Sequence, residues 1–79
     1  MENIQIFKNL TPILRTTFQN ELLVLTNELS AKDLENWDSL THMLLKTEIE
    51  KSFSIKFKLK ELSKMRNVGE IVDVIKSKL

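Results

Sequence analysis

Cysteine and tyrosine are missing from this chain of 79 residues, and glycine, proline and histidine occur once each. Each shortage closes a door. Without cysteine there is neither a disulfide framework nor a thiolate metal site. With His42 as the only imidazole, a metal centre would have to rest mainly on carboxylates, and no suitable cluster of them stands in the sequence. One glycine and one proline are too few for the turns of a strand-rich domain, so the scarcity favours helices. A net charge of +1 gives no broad electrostatic reason to expect nucleic acid. No apolar run approaches the roughly 20 residues of a membrane span. The opening MENIQIFKNL has an early acid and no uninterrupted apolar stretch, so it does not read as a secretory signal. The expectation is a cytoplasmic, monomeric protein with neither nucleic acid nor membrane as a partner.

What is present describes a globular domain. Apolar residues make up 42% of the chain and charged residues 29%, a balance unlike that of a disordered tail. A chain of this length buries roughly 60–65% of its unfolded surface, enough for one small core. A single domain, residues 1–79, is expected.

Ile4, Phe7, Leu10, Leu14 and Phe18 recur at spacings of three or four and predict a first helix over about 3–19, kinked or broken near Pro12. Thr11-Pro12 could also start a helix afresh, with Thr11 as N-cap and proline first inside. Residues 20–37 show no sustained period and read as a long ordered loop, with a short turn near 31–34. Leu23, Leu25, Leu29 and Leu34 would hold it to the core. Asp38 and Ser39 are both good N-caps for a second helix running to about Phe53. Its apolar residues fall in two rows, Leu40, Met43, Leu44 and Thr47 beside Leu45 and Ile49. SIKFK, 54–58, alternates like a short extended connector. Leu59, Leu62 and Met65 mark a short third helix. Asn67 to Glu70 has the spacing of a capping box before a last helix with Val68, Ile71, Val72, Ile75 and Leu79 inward. Lys76 and Lys78 suit its negative end. The sum is an all-α, small four-helix bundle: three main helices, a short third one and a long first loop.

The stretch ENWDSLTHMLL concentrates the chemistry. Ser39 and His42, three apart, share a helix face, with Asp38 adjacent. A hydrolytic triad is nonetheless excluded. Asp38 and Ser39 point about a quarter-turn apart, no G-x-S-x-G elbow surrounds the serine, and one histidine leaves no spare base. The plain alternative is that Asp38 caps the helix and Ser39 is merely its first residue.

The wider pattern resembles the acyl carrier proteins, a family of phosphopantetheine carriers. The resemblance is carried by Asp38-Ser39-Leu40, by LLKTEIEKSF ending in E-x-x-F, by SIKF, and by NVGEIVDVIKSKL. It extends over nearly the whole chain. It implies that Ser39 is the attachment point of a 4′-phosphopantetheine arm, moved from coenzyme A by a magnesium-dependent phosphopantetheinyl transferase. The arm's thiol would carry acyl groups as thioesters to partner enzymes, so the chain is a carrier and not an enzyme. Asp38 would be both helix cap and transferase contact, and Leu40 an inward anchor for the turn. Trp37, Leu40, His42, Met43 and Leu44 are candidate partner contacts, Trp37 alternatively packing on the preceding loop. Leu45, Ile49, Leu62, Met65, Ile71 and Val72 are candidates for a groove that shelters the acyl chain.

The chain also departs from the family. Carriers of fatty-acid synthesis are strongly acidic and dock partners through an acidic second helix. Here Leu44 and Lys51 stand where carboxylates are common, and Lys56, Lys58, Lys60 and Lys64 load the third-helix region with positive charge. Ser54 stands where the family often has glycine. Together with W-D-S-L-T-H, these departures suggest a specialised biosynthetic pathway. An aminoacyl or peptidyl carrier, and a small helical interaction module with an unmodified serine, are the alternatives.

Overall fold

The computed structural model describes residues 2–79. Four helices follow one another: α1 Asn3–Thr17, α2 Ser39–Phe53, α3 Leu59–Leu62 and α4 Val68–Lys78. No described helix is long and apolar enough to cross a membrane. The order and number match the expected bundle, including the short third helix, which is a single turn of four residues. Met65, expected within α3, lies beyond it and is buried.

In α1 the core row is Ile6, Leu10 and Leu14, continued by Phe18, each four residues from the last. Ile4, expected in that row, faces outward. Neither a break nor a fresh start occurs at Pro12: the helix runs through it. Thr11 is no N-cap, because its hydroxyl donates to the Phe7 carbonyl at 2.8 Å, one turn back. Pro12 sits on the exposed side, where a carbonyl that loses its N–H partner can turn to water.

Residues 18–38 form the long connection, and its order comes from bonds to both neighbouring helices. Arg15 Nε donates to the Leu23 carbonyl at 2.9 Å, and Asn36 Nδ2 to the Phe18 carbonyl at 3.1 Å. Leu23 is buried, while Leu25, Leu29 and Leu34 pack part-buried on the core, as their apolar character required. The expected turn near 31–34 is present, closed by Asp33 N–H to the Ser30 carbonyl at 2.9 Å. Farther along, the loop runs beside the start of α4 in a one-pair antiparallel bridge, Ser30 with Asn67. Val68 and Gly69 donate to the Leu29 and Asn27 carbonyls at 3.0 and 2.9 Å. Gly69 permits this approach: a Cβ there would meet the Asn27 carbonyl oxygen at 3.1 Å.

The second helix separates its two apolar rows, with Leu40 alone on the side opposite to the one expected. Leu45, Ile49 and Phe53 are buried, and Leu40, Met43 and Leu44 face solvent. Both rows are apolar, so periodicity alone could not choose between them. Glu50, the acid of E-x-x-F, fastens the connector that follows. Its carboxylate accepts from Phe57 N–H at 2.8 Å and pairs with Lys46 at 3.5 Å. In SIKFK the alternation is real, Ile55 and Phe57 turning inward and the lysines outward. Glu61 does a similar service for α3, pairing with Lys78 at 2.8 Å and accepting from Lys58 N–H at 2.7 Å. Asn67 caps α4 through its Oδ1, which accepts from Glu70 N–H at 2.8 Å; the Glu70 carboxylate turns instead to Arg66 at 3.5 Å. Val68, Ile71, Val72 and Ile75 complete the core, and Leu79 lies exposed past the helix end.

Ser54 ends α2 in the left-handed conformation, φ 56° and ψ 46°, the geometry that glycine would adopt without strain. Relief of roughly 1–2 kcal/mol of Cβ strain, less roughly 0.5–1 kcal/mol of added unfolded-chain entropy, leaves a net gain. Ser54→Gly should therefore stabilise the fold by about 0.5–1 kcal/mol, read from urea midpoints at constant slope. Backbone hydrogen bonds, from Phe57 to Glu50 and from Lys58 to Glu61, hold both carboxyls below their ordinary value of 4.5, with the paired lysines adding to the effect. Depressed carboxyls contribute stability that is complete above the unfolded value and lost as pH falls through the folded ones. Denaturant midpoints should hold above about pH 5 and drop below about pH 4.5, and Glu50→Gln should flatten that drop.

Candidate functional site

Asp38 starts α2 as its N-cap. Its Oδ1 accepts from Thr41 N–H at 3.0 Å. The Thr41 hydroxyl closes the turn from the other side, accepting from Asp38 N–H at 2.8 Å and donating to the Asn36 carbonyl at 2.6 Å. These bonds, led by the Thr41 backbone N–H and then its hydroxyl, hold the Asp38 carboxyl below its ordinary value. Asp38 is thus an anion at neutral pH and acts as a cap rather than as a proton donor. Thr41 is a functional residue that the sequence reading passed over, although its signal, D-x-x-T at capping-box spacing, was there to be seen.

Ser39 is the first residue of α2, exposed, and its side chain makes no hydrogen bond to another described residue. Beside it opens an apolar groove of about 1030 Å³. The floor and walls include Trp37, His42, Met43, Leu59, Leu62 and Met65, and Lys60 and Arg66 also line it. Of the six residues expected to form an acyl groove, Leu62 and Met65 line this one. Leu45, Ile49, Ile71 and Val72 are buried in the core away from it. The correction has a simple cause. A sequence shows which residues are apolar, but not which of them the helices seal off entirely.

Leu40 and His42 depart from expectation. Leu40 is no inward anchor: it is 71% exposed. Of the two readings of Trp37 the packed one holds: it is 7% exposed and lies on Phe18 with ring centroids 5.2 Å apart. The residue that locks the turn is Trp37, one place before the cap. His42, expected to be exposed, is half-buried and bonded at both nitrogens. Trp37 Nε1 donates to its Nδ1 at 3.1 Å, and its Nε2 lies 3.2 Å from the Leu62 carbonyl. Indole only donates and a carbonyl only accepts, so these partners fix a neutral imidazole with the proton on Nε2. Met43 and Leu44 are exposed as expected, and with Leu40 they form an apolar patch beside the serine.

Neither a scan against protein-family models nor a search of curated proteins found a match. Among solved structures the chain is similar to the solution NMR structure of a holo acyl carrier protein from Geobacter metallireducens. The two share 46% identity and a TM-score of 0.85, with 91% of this chain and 83% of that one covered. Similarity at this identity and coverage to an acyl carrier protein makes the chain a small carrier rather than an enzyme. The chain belongs to the acyl carrier proteins.

Removing the Thr41 hydroxyl should weaken the fold, and removing the Ser39 hydroxyl should leave it nearly unchanged. Thr41→Val leaves Asp38 N–H without its partner and should cost about 1 kcal/mol in urea denaturation. Ser39→Ala should stay within about 0.5 kcal/mol of the parent.

Proposed function

We propose that Ser39 carries the 4′-phosphopantetheine arm and that the protein delivers acyl units to partner enzymes of a specialised pathway. The observation that carries this reading is the exposed, unbonded Ser39 hydroxyl between a fixed cap and an apolar groove. When bound, the group supplies a thiol that holds an acyl unit as a thioester, which explains how a chain without cysteine serves thiol chemistry. Family membership supports this use of the site.

The residues present fit such a group. The Asp38–Thr41 cap holds Ser39 at the positive end of the α2 dipole, where the negative charge of a phosphodiester is favoured. Trp37, held inward by Phe18, forces the next two residues outward, toward an approaching transferase. The groove offers the acyl chain an apolar lining. At about 0.8 kcal/mol per buried CH₂, five sheltered methylenes would gain roughly 4 kcal/mol. That holds a chain and still lets a partner withdraw it.

The choice of a specialised pathway rests on the docking face. On α2 the charges cancel in pairs, Lys46 with Glu50 and Lys51 with Glu48, leaving Leu40, Met43 and Leu44 as its exposed feature near Ser39. Lys60 and Lys64 stand exposed close by, in no ion pair among the described residues. Partners of this carrier meet an apolar and basic face, unlike the acidic helix that enzymes of ordinary fatty-acid synthesis recognise.

Incubation with coenzyme A, magnesium and a promiscuous phosphopantetheinyl transferase tests the central claim by intact mass. The protein should gain one phosphopantetheine, and Ser39→Ala should gain none. Failure of the parent to gain mass with several such transferases would overturn it.

A further inference from the structure

We infer that His42 is a positioning residue that sets the width of the groove beside Ser39 by tying Trp37 on one wall to the Leu62 carbonyl on the other. The use made of the groove rests on the function proposed above; the tie itself does not.

All three residues line the groove, and His42 is the one that bonds to both others. The Trp37 and His42 rings lie 22° from parallel with centroids 6.3 Å apart, the arrangement of two rings joined edge to edge by this hydrogen bond. The opposite wall needs fastening. The third helix is one turn long and contributes no fully buried residue. Among the described residues, polar ties from α3 side chains and carbonyls to distant parts of the fold are two: Glu61 to Lys78, and the Leu62 carbonyl to His42. Loss of the second leaves the groove side of α3 held only by the half-buried Leu62 side chain and by Met65 beyond it.

The tie depends on one tautomer. A neutral imidazole with its proton on Nε2 accepts from indole and donates to the carbonyl at once. An added proton on Nδ1 leaves the Leu62 bond intact but sets two N–H groups against each other at Trp37. The Trp37 half of the tie must then open. The charged groups that share the groove with His42 are Asp38 at the start of α2, Lys60 on α3 and Arg66 after it. The structure thus joins the wall beside Ser39 to a proton on one imidazole.

The test starts with unmodified full-length protein, so it does not depend on Ser39 carrying anything. NMR should show the Nε2–H tautomer for neutral His42. On acidification the Trp37 indole N–H resonance should move with the same midpoint as the His42 ring, and the Ser63 and Met65 amides should follow it. In His42→Phe, which keeps the ring and removes both bonds, that pH response should vanish and the indole proton should exchange about fivefold faster. If His42 titrates while the indole resonance stays still, the tie is refuted, and this titration of the parent decides even if the variant does not fold. A promiscuous phosphopantetheinyl transferase then loads Ser39 from butanoyl-, hexanoyl- and octanoyl-coenzyme A, moving the acyl-phosphopantetheine onto the hydroxyl and releasing adenosine 3′,5′-bisphosphate. The longest chain that shifts Leu59, Leu62 and Met65 should be greater in His42→Phe than in the parent. The same limit in both proteins would overturn the claim on groove width. A failure to load Ser39 would instead overturn the proposed function and leave the tie standing.

Discussion

The inward packing of Trp37 is the constraint from which the site follows. The indole fills the space between Phe18 at the end of α1 and the first turn of α2, and it is nearly sealed there. Direction then passes along the chain. With Trp37 committed to the core, Asp38 closes the helix start and Ser39 emerges into solvent. Residue 40 continues outward, so the leucine that might have served as the anchor becomes surface instead. A large aromatic placed immediately before the cap converts a hydrophobic gain into an orientation, and the serine needs no bond of its own to hold its place.

The long loop before this point is ordered for the same economy of means. A domain of this size has little core to spare, and twenty residues without a helix would ordinarily be costly to fix. Here the backbone is fastened by side chains from α1, by the paired stretch beside Asn67, and by small apolar contacts from Leu23, Leu25, Leu29 and Leu34. The single glycine falls where that pairing brings the loop against α4. The remaining segments are treated likewise. Glu50 and Glu61, each by one backbone bond and one lysine, place the connector and, after it, the short helix that forms one wall of the groove. The wall is therefore built from polar ties over a thin apolar support, which makes its position adjustable where the core proper is not.

Membership of the acyl carrier proteins and the departures from the family's acidic habit fit together in this frame. The fold is shared with a carrier of known structure. The surface around Ser39 has its own character: an α2 whose charges cancel, an apolar patch beside the serine, and lysines around α3. Under the proposed function such a fold can keep its attachment geometry while exchanging its partners, because the cap is made by Asp38 and Thr41 and the exposed apolar patch by Leu40, Met43 and Leu44.

Much of this was legible in the sequence, and the reason is periodicity. Helix number, the start of α2 at Asp38-Ser39, the inward leucines of the loop, the alternation of SIKFK and the caps before α4 each depend on residues near one another in the chain. The place of Ser39 as the exposed first residue of α2 was legible for that reason. What tertiary structure decided was every question in which two apolar readings competed. On α2, Leu40 with Met43 and Leu44 was as apolar as Leu45 with Ile49, and only the position of α1 and α4 chose which row to bury. Trp37 and His42 turned from surface contacts into a joined pair because Phe18 and Leu62, remote in sequence, arrive on either side of them. The groove lies where α3 stops short of α2, and Ile49 or Val72 could not line it once the helices had closed over them. Local chemistry fixes which residues want to be buried or bonded; which of them succeed is settled by what the distant chain brings into contact.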